Sequence, residues 1–356
     1  MKSKMMKAVS VALVITLLLC TFVACNSAET KADFEKEYDV EVTKAPTTTE
    51  APYELAEGVN PLTGLENLSE SAKGKRPVAI MVADSSQTTP LGGIMTPDLT
   101  IVSLVEENKV GTMWVYADST KIPNEIGPIA PAHEGFAGLA QDMNAIYVHY
   151  DGETVEGVDN IDGAKYNGKY FFPDETKYQE SEYQAVTSQA YIESAISIIG
   201  YSMSCETKDY APYHVGVKGE TIPQAGEGGV ATSVKATFSK DIVYSFEYNE
   251  KESVYYQYVN GQPVVGANGE KAAYTNVIYL YVNIKYDNNG KAVWDFGKAD
   301  MLNDAAYISE GYGQNICWCY DSETDRLVLM NQNGSKILKI NPGNVWIGIR
   351  PDIYNG

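Results

Sequence analysis

The stretch DLTIVSLVEENKVGTMWVYAD, residues 98–118, sets two β-rich runs (98–107 and 111–118) on either side of a short polar turn through Asn108 and Lys109. A turn of that length between β-branched and aromatic runs predicts an antiparallel hairpin. RPVAIMVAD (76–84) is another run of the same kind. PAHEGFAGLAQDM (131–143) then reads as a helix with proline in its first turn, and Phe136, Leu139, Ala140 and Met143 fall on one face. AIYVH (145–149) returns to strand. Strand 111–117, helix 131–143 and strand 145–149 together predict a β-α-β crossover, which would make the two strands parallel. In TSQAYIESAISIIG (187–200), Thr187 or Ser188 can cap a second helix, Gly200 can end it, and Ile192, Ala195, Ile196 and Ile199 form its stripe. Residues 60–215 are therefore expected to form a mixed α/β domain.

Downstream the pattern changes. Residues 216–229 are rich in glycine and read as a linker. Beyond it the chain is strand and turn, with Asn-Gly pairs at 260–261, 268–269, 289–290 and 333–334 as hairpin signals. Along VIYLYVNIKY (277–286), Ile278, Leu280, Val282 and Ile284 alternate with Tyr279, Tyr281, Asn283 and Lys285, so one face is expected in the core and the other half-wet. Residues 230–352 are expected to form an antiparallel β domain. The fold class read from the sequence is α+β, a mixed α/β domain followed by an antiparallel β-rich one.

The N-terminus reads as an address. Lys2, Lys4 and Lys7 precede an apolar run from Val9 to Ala24, short for a permanent membrane span and suited to a signal peptide. Phe22-Val23-Ala24-Cys25 has the form of a bacterial lipobox, and Cys20, preceded by Leu19, does not. Residues 1–24 are thus expected to be removed and Cys25 to carry the lipid. Two acyl chains there hold a protein stably at a membrane. Residues 25–59 read as a disordered tether.

Loss of residues 1–24 takes three lysines and moves the formal charge from −20 to −23. Such a chain has no basic footprint for nucleic acid. Arginine occurs only at 76, 326 and 350. The later cysteines, Cys205, Cys317 and Cys319, are read as free structural thiols, with one disulfide involving Cys205 or a metal pair as the alternatives. No cofactor is expected.

The order of landmarks resembles a family of bacterial lipoproteins typified by YerB, whose two domains are of unknown function. The residues that carry the resemblance are Asn60-Pro61-Leu62-Thr63-Gly64, Arg76-Pro77-Val78-Ala79-Ile80-Met81, Ile126-Gly127-Pro128 and Ala145-Ile146-Tyr147-Val148-His149. In the second half they are Asn276-Val277-Ile278, Gly311-Tyr312-Gly313 and Asn341-Pro342-Gly343-Asn344-Val345-Trp346-Ile347. The resemblance implies a surface-exposed lipoprotein with no established catalysis. It also implies arginines near the positions of Thr89, Gly111, Ala130 and His133, and this chain has none of them.

No hydrolase elbow, paired-histidine zinc helix or phosphate loop occurs in the sequence. His149, closing an apolar strand with Asp151 and Glu153 just beyond, is the best-placed reactive group; the alternative is a strand-end histidine bonded to its own loop. The crossover would put Asp118 and His149 on one sheet edge, so Asp118, His149, Asp151, Glu153 and more weakly Asp84 form an expected acidic ligand rim. The leading expectation is a binding or scaffold lipoprotein of the cell envelope, meeting a glycan, peptide or protein. The alternative is an envelope hydrolase using His149 with Asp151 or Glu153, with or without a metal.

Overall fold

The computed structural model describes residues 54–83, 93–153, 155–178, 181–205, 210–216, 228–266 and 269–351. Asp84, Cys25, the leader, most of the tether and linker residues 217–227 lie outside these. No helix among the described residues is long and apolar enough to cross a membrane.

The predicted hairpin is present. Strands β2 (Leu99–Glu106) and β3 (Lys109–Tyr116) pair antiparallel from Leu99 opposite Val115 to Glu106 opposite Lys109, with a bulge after Leu104. Strand β1 (Val78–Val82) lies against the other side of β3, and β4 (Ile146–His149) runs parallel to β1. The three-residue β5 (Asn160–Asp162) closes this edge. The crossover reading is corrected here: β1 separates β3 from β4 and is antiparallel to the first and parallel to the second, so β3 and β4 run in opposite directions.

From the second half come β6 (Ser233–Ser239), β7 (Ile242–Asn249) and β8 (Val254–Val259), a small antiparallel sheet. Asn260 and Gly261, with φ of 50° and 78°, turn β8 back on itself as the Asn-Gly signal requires. Then follow β9 (Asn276–Tyr286), β10 (Ala292–Asp295), β11 (Asn303–Ser309), β12 (Tyr312–Asp321), β13 (Arg326–Asn331) and β14 (Val345–Pro351).

The decisive strand is the last. β14 lies between β9 and β2 and is parallel to both, with Ile347 beside Ile278 on one side and Ile101 on the other. One mixed sheet therefore runs β13-β12-β11-β9-β14-β2-β3-β1-β4-β5 through both halves of the chain. The α+β reading is overturned: the described protein is mostly β, built on one large mixed sheet, with α1 (Glu134–Asp142) and α2 (Gln189–Ile199) as its only α-helices among the described residues.

Helix α1 lies in the concave face. It packs on β4 and on β13, eight strand spacings apart in sheet order. Flat, eight spacings would measure about 38 Å, against a helix of about 14 Å. The sheet must curl around the helix. Phe136, Leu139 and Ala140 meet Met81, Met113, Leu280, Trp318, Leu329 and Ile347 in one continuous core. The opposite face is also covered. Trp346 on β14 is fully buried against Phe238, Tyr244 and Phe246 of the small sheet. For this reason Tyr279, expected half-wet, is only 4% exposed.

Candidate functional site

The expected rim does not assemble. Asp118 follows β3 at one edge of the sheet, and His149 ends β4 at the opposite edge. Asp118 caps the short turn Ser119–Lys121: Thr120 donates to it through both its backbone N–H and its hydroxyl, and the N–H of Ser69 donates to its other oxygen. Burial pushes its carboxyl up, but these hydrogen bonds outweigh it and hold the group below the ordinary carboxylate value.

His149 is buried with both ring nitrogens occupied. Nδ1 lies 2.9 Å from the Asp151 carbonyl, so it carries a proton and donates, and Nε2 lies 3.2 Å from Oδ1 of Asn160. This is a strand-end histidine bonded to its own loop. Glu153 accepts from the N–H of Glu134 at the start of α1 and pairs with Lys291 at 2.7 Å. The Asp151 N–H donates to Asp162. No carboxylate orients the His149 ring, and the pairing on which a hydrolase would depend is not formed. Among the described residues, no group of three or more metal-ligating side chains is placed to hold an ion.

His133, passed over in the sequence, begins α1. Its Nδ1 accepts from the Gly135 N–H, so Nε2 carries the proton and donates to the Ala292 carbonyl at 3.0 Å. Burial holds its pKa below the ordinary value. Gly111, a position where the resemblance implied an arginine, has no room for one: a Cβ there would sit 2.8 Å from the Phe136 ring. Cys205, Cys317 and Cys319 are all buried and form no disulfide with one another, and burial raises the thiols of Cys317 and Cys319 to about 11.

One concave feature of the described surface is a shallow cleft at the C-terminal end of α1, enclosing about 370 Å³ of space that includes open solvent. Ile101, Ile347 and Ile349 form its floor, Leu139 and Met143 one wall, and Tyr210 to Pro212 with Leu327 the other. Its polar groups are Asp142 and Arg326. Asp142 is the last residue of α1, where the helix dipole disfavours a negative charge. The Leu327 N–H and the Tyr320 hydroxyl donate to its two oxygens. Burial dominates and raises the Asp142 carboxyl to about 6. An apolar concavity with one perturbed acid is the arrangement in which ligand sites are most often found. The sequence did carry a signal for it, an acid in the last turn of a helix, where a basic residue is the rule.

The Asp142 shift has a measurable consequence. Its folded pKa lies above the unfolded value, so between about pH 4 and pH 6 the folded state holds a proton that the unfolded state has released. Stability from this group is present below that window and is lost as pH rises through it. With partial solvent screening, Asp142→Asn is expected to be about 1–2 kcal/mol more stable than the parent at pH 7 and about equal to it at pH 4. Urea unfolding of both proteins at the two pH values checks this, and an Asn variant no more stable at pH 7 would refute it.

Three comparisons bear on identity. Residues 62–202 match the family described as "Protein of unknown function (DUF3048) N-terminal domain", and residues 234–347 match its C-terminal domain. The chain is 23% identical over 302 residues to "Putative lipoprotein YerB" of Bacillus subtilis (strain 168), covering 82% of this chain and 86% of that protein. The crystal structure of YerB from Bacillus subtilis superposes with a TM-score of 0.66 at 21% identity, over 82% of this chain and 96% of the YerB chain. The curled mixed sheet is thus a fold shared with YerB, and the chain belongs to the DUF3048 family as a divergent member carrying both of its domains.

Proposed function

We propose that this protein is a lipid-anchored, extracytoplasmic binding module whose site is the cleft at the end of α1, and that its partner is a peptide or protein segment presenting an apolar side chain. The cleft is the observation that carries the reading: apolar walls from residues of both domains, with the half-buried Asp142 as the acid that lines it. At neutral pH Asp142 is an acceptor for a partner N–H or hydroxyl. The lipoprotein name of the Bacillus relative and the lipobox at Cys25 support the envelope location.

Ala211 lines the cleft, and Ala211→Trp would fill it. Cross-linking in the native membrane should join the parent to a partner through the cleft, and the filled variant should lose that product while remaining folded, its melting temperature lowered only by the overpacking of a position that is 8% exposed. A partner captured equally by both proteins would contradict the reading. The anchor is tested separately: Cys25→Ser is expected to move the protein from the detergent phase to the aqueous phase on partition. A variant that stays with detergent would rule out lipid at Cys25.

A further inference from the structure

The face of the sheet turned away from α1 holds a charge that no described carboxylate neutralises. In β14, Trp346, Gly348 and Arg350 alternate onto this face, and the parallel register sets Tyr279 beside Gly348 and Tyr281 beside Arg350. Arg350 is 5% exposed. Its guanidinium stacks over the Tyr281 ring, 5.1 Å from the centroid, and its Nε has no hydrogen-bond partner. No described carboxylate forms a salt bridge with it. The contrast with Arg76 is direct: that guanidinium pairs with Asp159 and donates to three backbone carbonyls.

A second group on the face is in the same condition. The Tyr279 hydroxyl is buried and has no partner. Burial drives its pKa well above the ordinary phenol value, opposed most strongly by the positive charge of Arg350, and the register makes the two residues diagonal neighbours on this face, Tyr279 beside Gly348 and Arg350 two positions on. Trp346 bounds the site: its six-membered ring lies over Gly348, where an added Cβ would meet it at 2.4 Å, and it stands edge-on to Tyr279 with centroids 6.0 Å apart. A buried cation without a counter-ion among the described residues and a buried hydroxyl without a partner there are both costly, and an oxyanion between them would relieve both.

We propose that Arg350 and Tyr279 form a binding site for a carboxylate carried on a ligand with a flat apolar body. One cation matches one negative charge. The planar fork of a guanidinium matches the two oxygens of a carboxylate, and the side chains flanking the pair, Tyr281 and Trp346, are aromatic. The site lies on the sheet face opposite the α1 cleft, so it stands independently of the peptide-binding reading above.

The test uses the full chain in detergent, with sodium benzoate as the probe and benzamide as its uncharged counterpart of the same shape. Benzoate is expected to raise the melting temperature saturably, and benzamide and inorganic phosphate are expected to leave it unchanged. Tyr279→Phe should weaken benzoate binding about tenfold to a hundredfold, the loss of one hydrogen bond to a charged acceptor. Arg350→Met should abolish it, and without ligand this variant should melt no lower than the parent, because it removes an uncompensated buried charge. Four results would each overturn the proposal: no saturable response to benzoate, an equal response to benzamide or phosphate, a response retained in Arg350→Met, or an Arg350→Met variant that melts well below the parent. The last would show Arg350 to be a structural contact.

Discussion

Trp346→Ala is expected to lower the unfolding free energy by about 3–5 kcal/mol, the range for truncating a large aromatic in a core. Trp346 is 0% exposed and its ring is met by Phe246 at 4.8 Å, Tyr244 at 5.7 Å, Tyr279 at 6.0 Å and Phe238 at 6.4 Å between centroids. Three of these rings belong to the small sheet and one to the large sheet, so the indole is where the two layers meet. Gly348 lets the ring lie along its own strand. Alanine would open a cavity that the flanking strands, each hydrogen-bonded on both sides in the large sheet, can close only in part. Trp346→Phe should cost less, about 1–2 kcal/mol, because most of the packed surface remains. Urea unfolding followed by tyrosine fluorescence measures both. A loss below about 2 kcal/mol for the alanine variant would mean that the small sheet resettles on the large one and that Trp346 does not join them.

Position 346 also shows why part of this fold was legible in the sequence and part was not. Local features read correctly wherever the physics is local. The polar turn between two β-rich runs gave the 98–118 hairpin, Ser188 and Gly200 bound α2, and Asn260-Gly261 makes the turn after β8. The misreading began where pairing is long-range. Nothing within 343–351 says that β14 will insert between β2 and β9, some 60 to 240 residues away, and that insertion turns two expected sheets into one. One clue was available: VWIGI is apolar at every position, as suits a parallel strand covered on both faces. The alternation along VIYLYVNIKY located the concave face, but it could not show that Tyr279 on the other face would be covered by the small sheet.

The candidate rim failed for the same reason. An expected crossover set Asp118 and His149 on one edge, and the insertion of β1 between β3 and β4 sets them on opposite edges. Asp118, read as a ligand group, holds Ser69 and Thr120 in place, so its removal should disturb structure before it disturbs binding. The cleft acid, Asp142, was hidden because burial and not sequence neighbourhood makes it unusual. Arg350 was visible only as one of three scarce arginines; its isolation from every described carboxylate is a property of the assembled face.

Arg76→Met is expected to cost about 3–5 kcal/mol, the range for stripping one member from a buried charged network. Arg76 is 9% exposed and stands just before β1. Its Nε donates to the Asn144 carbonyl at 2.8 Å, one terminal nitrogen to Asp159 at 2.5 Å and to the Ser202 carbonyl at 3.2 Å, and the other to the Ala145 carbonyl at 3.4 Å. Four segments therefore meet on one side chain: the start of β1, the connection from α1 to β4, the approach to β5 and the residues after α2. The ion pair is the smaller part of this. Asp159 is 42% exposed, and water screens a carboxylate so placed, so Asp159→Asn should cost only about 0.5–1 kcal/mol. The larger part is the set of carbonyls, which lose a charged donor and keep no replacement. Lysine should not rescue the site, because a single ammonium cannot reach acceptors spread around a planar fork. Arg76→Lys is thus expected to recover less than half of the loss. Urea midpoints of the three variants decide the matter. If Asp159→Asn proves as costly as Arg76→Met, the ion pair and not the carbonyl clamp holds the four segments together.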